Sequence, residues 1–187
     1  MEISKRAISN IPSSFRRKPK TSEEVQKIIK EIDISDASDI EAGSLIWQKK
    51  NLPSSDAQKV SGNTKITGVL RLGDANFKID RLKINRNTYF RDEVFGNLRW
   101  ASELRNNNPS LEIAKCKFKV STNVKNLGVL DLKISHDPDR ISDQHNIPTT
   151  IHWGSVMISY LKKNSVIGKT LNLYFPKKGL VFGIVIE

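Results

Sequence analysis

Apolar and polar residues alternate along much of the chain after residue 43, and this pattern predicts β-strands. In 114–120 the apolar positions alternate with lysines, and in 130–135 they alternate with polar side chains. A period of two gives one buried and one wet face. Further strand-like runs lie at 44–48, 67–72, 77–80, 149–153, 171–175 and 180–186. About seven short strands in one chain favour a small barrel.

Other patterns predict helices and turns between these strands. A capping box at 21–24 is followed by apolar residues at helical spacing, which predicts a short helix over 22–32. Residues 155–163 predict a second short helix, and 124–128 predict a hairpin connection. We therefore divide the chain into 1–43, a basic arm with a short helix and an acidic linker, and 44–187, the barrel.

The charge of the chain points to a polyanion as partner. Its net charge is +11 and its pI about 9.8. Residues 1–20 carry +5 and residues 21–43 carry −5, so the remainder accounts for +11. A basic domain of this kind has the electrostatic footprint of a nucleic-acid binder, although a generic basic surface is the alternative. The lysines at 115, 117 and 119 are either a solvated strand face or a DNA contact.

A few features of the sequence indicate the cellular compartment and the residues of the hydrophobic core. No apolar run is long enough to span a bilayer, and the N-terminus lacks the apolar core of a signal peptide. Cys116 is the only cysteine, which fits a reducing cytosol, and its place in the alternation predicts a buried core thiol. Four aromatic residues are also expected in the core, namely Trp47, Phe90, Phe95 and Trp153.

Two polar segments stand out between the predicted strands. The first arm spans Lys49 to Thr67 and the second arm spans His136 to Thr150. Both are far more polar than a hairpin needs. Their Arg, Gln, Asn, Asp and Thr side chains are the types that read base edges in a DNA groove. On a basic, strand-rich chain, two such segments predict a clamp on duplex DNA.

Several segments together resemble a known family. They are IWQKKNLPSSDA at 46–57, TGVLRL at 67–72, YFRDEVFG at 89–96, and ISHDPDR at 134–140 with Gln144, Asn146 and TTIHWG at 149–154. The set resembles the C-terminal DNA-recognition domain of NgoFVII- and BfiI-type restriction endonucleases, which is similar to the plant B-three pseudobarrel. The resemblance covers about 44–187.

The resemblance implies a mainly β, seven-stranded open pseudobarrel with short flanking helices. It implies that the two arms grip the major groove of double-stranded DNA, in a bacterial cytoplasmic protein that needs no cofactor. Those endonucleases also carry a phospholipase-D-like domain with a His-x-Lys pair, which none of the three histidines here forms. We therefore expect no catalysis, and a fragment or free-standing recognition module whose partner is a nuclease domain or subunit.

The candidate DNA-binding residues differ in the task that their chemistry suits. Arg71 and Arg140 can pair bidentately with guanine, whereas Gln144 and Asn146 suit adenine or a backbone oxygen. Asp56 either accepts from cytosine or holds its loop together. The full set is Lys49, Lys50, Asn51, Ser54, Ser55, Asp56, Gln58, Lys59, Thr64, Arg71, Tyr89, Arg91, His136, Arg140, Gln144, Asn146 and Thr149.

Each of these roles has a structural alternative. The lysines of the first arm suit phosphate anchoring rather than base reading. A surface salt bridge is the alternative for Arg71, turn capping for the serines and Thr64, and ordinary turn polarity for Gln144 and Asn146.

Two further functions remain open on the same chain. Asp131 and Lys133 form the D-x-K half of a metal-dependent nuclease signature, which needs a second acid such as Asp92, Glu93 or Glu112 to hold Mg²⁺. Strand alternation alone also produces this spacing. The other alternative is an RNA-binding barrel. The histidines do not form a pattern on which we would predict a metal site.

Overall fold

The computed structural model describes residues 43–59, 66–73, 78–79, 82–103, 110–140 and 146–187. The ten strands are β1 Leu45–Lys49, β2 Val69–Arg71, β3 Lys78–Ile79, β4 Leu82–Lys83, β5 Ala101–Ser102, β6 Glu112–Thr122, β7 Asn126–His136, β8 Thr149–His152, β9 Leu171–Tyr174 and β10 Val181–Ile186. Helix α1 covers Gly154–Lys163, close to its prediction. The predicted helix over 22–32 lies outside the described residues.

The main sheet is a curled, open half-barrel. Its strand order is β1-β9-β10-β6-β7-β8-β2, with β5 added on β6, and β3 and β4 pair separately. All pairs are antiparallel except β10 with β6. The predicted mainly β fold, a seven-stranded open pseudobarrel, is confirmed.

The longest hairpin, β6 with β7, follows directly from the alternating pattern. Ala114 to Val120 lie opposite Gly128 to Ile134 in register. Thr122 Oγ1 accepts the backbone N–H of Lys125 at 2.9 Å in the turn, and Gly128 has a φ of 79°. The positive φ favours glycine because it has no Cβ. The predicted hairpin connection is therefore confirmed.

The inner face of the sheet carries the core. Trp47, Phe90, Phe95 and Trp153 are buried as predicted. The thiol of Cys116 is buried too, and desolvation raises its pKa to about 12, so that it stays protonated near neutral pH. Residues Tyr89–Val94, for which the sequence predicted no element, form a π-helical turn that packs into this core.

Side chains bridge the seam between β1 and β2, which end the sheet on either side. Trp47 Nε1 donates to the carbonyl of Gly73 at 2.6 Å, and Lys49 Nζ donates to the carbonyl of Arg71 at 3.2 Å. The free edge of β1 is also used, because the hydroxyl of Tyr89 donates to the carbonyl of Ile46 at 2.6 Å. The half-barrel is thus fastened by side chains where strand pairing stops.

Candidate nucleic-acid interface

A polar cleft of about 520 Å³ lies on the outer face of β2, β8 and β7. The neighbours of its lining residues along these strands, Leu70, Ile151 and Ile134, point into the core. Alternation therefore places every second residue of each strand in the cleft. The lining side chains with polar groups include Arg71, Lys133, Ser135, Arg140, Thr150 and His152.

Strand pairing sets these polar side chains side by side on the cleft floor. Thr150 of β8 lies opposite both Arg71 and Ser135, and His152 lies opposite both Val69 and Lys133. Ser135 Oγ is hydrogen-bonded to Thr150 Oγ1 at 2.9 Å and to His152 Nε2 at 3.0 Å. The floor is therefore a connected row that offers both donors and acceptors.

Asp56 organises the base of the first arm. Its carboxylate is fully buried and lies 2.5 Å from Lys49 Nζ and 3.3 Å from Arg71 Nε. Arg71 also donates to Ser55 Oγ. Of the two roles predicted for Asp56, holding the loop is the one the geometry supports, with charged partners in place of backbone amides. The ammonium group of Lys49 is bonded within the protein, to Asp56 and to the carbonyl of Arg71, and its role as a phosphate anchor stays a prediction.

Gln58 fastens the same arm to β2. Its side-chain NH₂ lies within hydrogen-bond distance of the carbonyls of Ser55, Asp56 and Val69, and its oxygen accepts the Gly68 N–H at 2.6 Å. The side chain is buried and bonded within the protein, and its assignment as a DNA contact stays a prediction. Among the other candidates of the first arm, Lys50, Asn51 and Ser54 are exposed. Lys59 donates to the carbonyl of Lys162 at 2.6 Å, and Thr64 lies outside the described residues.

The two candidate residues of the π-helical turn, Tyr89 and Arg91, both make contacts within the protein. Burial raises the pKa of Tyr89 to about 12, with a further contribution from Glu93, and the hydroxyl is bonded to β1. Arg91 forms a two-pronged ion pair with Glu112 at 2.7 and 3.0 Å and lies over the ring of Trp100. The hydrogen bonds from Arg91 lower the pKa of Glu112. These groups brace β1 and β6, and their assignment as DNA contacts stays a prediction.

A side-chain hydrogen bond joins the two ends of the second arm. His136 and Thr149 face each other in register, and His136 Nδ1 is hydrogen-bonded to Thr149 Oγ1 at 2.9 Å. Both are buried, and their assignment as DNA contacts stays a prediction. Arg140 follows in a 3₁₀ turn, Pro138–Arg140, with its side chain 59% exposed and its Nε 3.3 Å from Asp137. Asn146 is exposed, and Gln144 lies outside the described residues.

Of the acids considered for a nuclease, Asp92 and Glu93 lie in the π-helical turn, and Glu112 and Asp131 lie far apart on the hairpin. Asp131 lies opposite Lys117, whereas Glu112 lies opposite His136. Five residues of extended β6 separate these positions, which is roughly 17 Å. No group of three His, Cys, Asp or Glu side chains that could hold a metal ion occurs in the part of the chain that the structure describes. The geometry therefore does not favour the metal-dependent nuclease.

The sequence-based prediction missed most of the cleft floor. Ser135, Thr150, His152 and Glu103 were not among the candidates, and Lys133 entered only through the nuclease alternative. The signal was present, since outward positions of the strands that flank the second arm are polar at a spacing of two. It was missed because such positions look like any solvated strand face until the strand partners are known.

Comparisons of this chain with protein-family models, curated proteins and solved structures found no match. Among the described residues, no helix combines the length and the apolar character needed to cross a membrane.

Proposed function

We propose that this chain binds double-stranded DNA sequence-specifically, with the cleft facing the major groove and the two arms on either side. The observation that carries the proposal is where the two arms join the strands that line the cleft. The first arm leads into β2 at Val69, which is paired with His152 at the end of β8. The second arm leads into β8 at Thr149, next to the pair of Thr150 with Arg71 at the end of β2. The arms thus meet the β2–β8 pair at opposite ends, roughly 10 Å apart.

The chemistry of the cleft suits base edges as well as phosphates. Arg71, Lys133 and Arg140 supply cationic groups, each close to a carboxylate, while Ser135, Thr150 and His152 supply neutral hydrogen-bonding groups. Phosphate contacts position a protein on DNA, and hydrogen bonds to base edges provide the specificity. A cleft with both kinds of group can do both tasks. The net charge of +11 adds the long-range attraction that such binding needs.

We also propose that the chain acts as the target-recognition part of a restriction endonuclease. The support is the resemblance of 44–187 together with the absence of a His-x-Lys pair from the sequence. Cleavage would then belong to a nuclease domain or subunit, and this chain would bring it to the site.

Arg140→Ala and Lys50→Ala test the division of labour within the interface. The recognised site is first selected from a random duplex library, and binding to it and to a scrambled duplex is then measured at two salt concentrations. Arg140→Ala should lose about 1–3 kcal/mol on the selected site only, because a lost base contact affects specificity. Lys50→Ala should weaken both duplexes alike and flatten the salt slope by about one unit.

The outcomes separate the parts of the proposal. If both variants lose the same factor on both duplexes, the second arm is an electrostatic clamp and not the reading arm. If no duplex is retained in a salt-dependent manner, DNA binding itself is refuted. If RNA of equal sequence competes better than duplex DNA, the RNA-binding alternative replaces it, because the two helices differ in groove width.

A further inference from the structure

Lysine side chains continue the polar surface beyond the cleft. Lys115, Lys117 and Lys119 alternate with the buried positions of β6, so they lie on its outer face. Lys115 is directly opposite Lys133 of β7, and Lys133 is directly opposite His152 on the cleft floor. We call Lys115, Lys117 and Lys119 the lysine face. Register therefore makes the lysine face continuous with the cleft.

The charges of the lysine face are only partly compensated. Asp131 lies 3.4 Å from Lys117, with both side chains largely in solvent, and Glu103 lies 3.6 Å from Lys133. Among the described residues, two carboxylates thus accompany the ammonium groups of Lys115, Lys117, Lys119 and Lys133. Lys115 and Lys133 are like charges directly opposite each other, an arrangement that destabilises a sheet. A bound anion would relieve this repulsion.

The spacing and chemistry of the lysine face fit a nucleic-acid backbone. Lysines at every second residue of a strand lie about 6.8 Å apart. This is about twice the spacing of roughly 3.4 Å at which each strand of B-DNA presents its phosphates along the helix axis. Lysine is a point charge on a flexible stem, which suits phosphate contact rather than base reading.

We propose that the lysine face binds the phosphates of the duplex that flank the recognised site, where the DNA leaves the cleft. This inference rests on the proposed function and adds a second contact surface to it. It differs from the roles of the arms, because it carries no sequence information and acts only on DNA that extends beyond the site. An ordinary solvated strand face, by contrast, would leave binding independent of duplex length.

The test varies the length of the duplex and the charge of the lysine face together. The double variant Lys115→Gln with Lys119→Gln removes two cations while keeping long polar side chains. Its matched control is Lys163→Gln with Lys178→Gln, which removes two exposed lysines from the end of α1 and from the β9–β10 turn. Both are compared with the unaltered protein on the minimal selected duplex and on the same site with about one helical turn added at each end.

The lysine-face variant should bind the minimal duplex as the unaltered protein does and bind the extended duplex more weakly. On the extended duplex its salt slope should be lower by about two units, so that the advantage of the unaltered protein shrinks on the order of tenfold between about 50 and 200 mM salt. The control variant should show no such dependence on length. Thermal unfolding of both variants verifies that the exposed substitutions leave the fold intact.

Three results would overturn the inference, and they are distinguishable. Equal loss on both duplexes would place the contact inside the recognised site, and no loss on either would make the lysine face a solvated surface. In both cases the specific binding of the unaltered protein still stands. Failure of the unaltered protein to bind any duplex would refute the proposed function along with the inference.

Discussion

At the residue scale, Asp56 has the largest consequences for the interface. Its buried carboxylate joins Lys49 of β1 and Arg71 of β2, two strands that do not pair with each other. The ion pair also orients Arg71, which lines the cleft. Buried charges persist in proteins only when they are paired. One acid in a polar loop thus holds the first arm against the barrel and orients an arginine that lines the cleft.

Replacing Asp56 by Ala should destabilise the protein by about 3–5 kcal/mol, because it leaves the largely buried ammonium group of Lys49 without its carboxylate partner. Urea unfolding measures this change in the free energy of unfolding. Asp131→Asn is the control, since that side chain is 72% exposed and its pair with Lys117 should contribute less than about 1 kcal/mol. Similar losses in the two variants would contradict the role given to Asp56.

At the element scale, each arm is rigid where it leaves the barrel. The first arm is tied down by Gln58 and Asp56, and the second by the facing pair of His136 and Thr149. Ser135 and Thr150 add a second cross-strand hydrogen bond at the base of the second arm. An arm that is ordered at its base loses less conformational entropy on binding, which supports affinity and specificity.

The stability of the second arm's base should depend on pH through His136. Burial lowers the pKa of this imidazole, an effect that outweighs the opposing influence of Glu112. The unfolded chain therefore takes up a proton near pH 6.5 that the folded protein does not. The contribution of neutral His136 to the free energy of unfolding should be fully present above about pH 6.5. At lower pH it should decrease, by at most about 1.4 kcal/mol per pH unit.

Chemical denaturation at pH 7.5 and 5.5 checks this prediction. His136→Asn removes the titrating ring while keeping groups that can bond Thr149, so the variant should lose less stability than the unaltered protein over this interval. Equal losses in the two proteins would show that His136 does not take part in the pH dependence.

At the scale of the whole molecule, salt should affect folding and binding in opposite directions. The chain carries +11, and self-repulsion of this kind destabilises a compact state. The described ion pairs are few, and those near solvent contribute little. Screening should therefore stabilise the free protein, while under the proposed function it should weaken binding to DNA by reducing the gain from counterion release.

Raising the salt concentration is thus expected to increase Tm by roughly 2–4 °C, which corresponds to about 1 kcal/mol for a chain of this size. Differential scanning fluorimetry of the free protein and duplex-binding measurements over the same salt series test the two responses. A fall in Tm with salt would mean that attractive ion pairs outweigh the repulsion.

The sequence by itself determined the fold class, the places where the polar arms interrupt the sheet, and the strands of the main sheet except the short β5; the short β4 was not predicted either. Alternation is a local property, and it is sufficient to show which face of 114–120 or 130–135 is buried. The core positions of Trp47, Trp153 and Cys116 follow from the same pattern. The polar character of the two arms was equally visible.

Only the tertiary structure decided which polar residues face inward and which meet at the cleft. Asp56 and Gln58 look like loop polarity in the sequence, yet both are buried because β1 and β2 supply their partners. Ser135, Thr150 and His152 are adjacent only through the pairing of β7 with β8. Burial and contact of this kind depend on residues distant in the chain, and no local pattern contains that information.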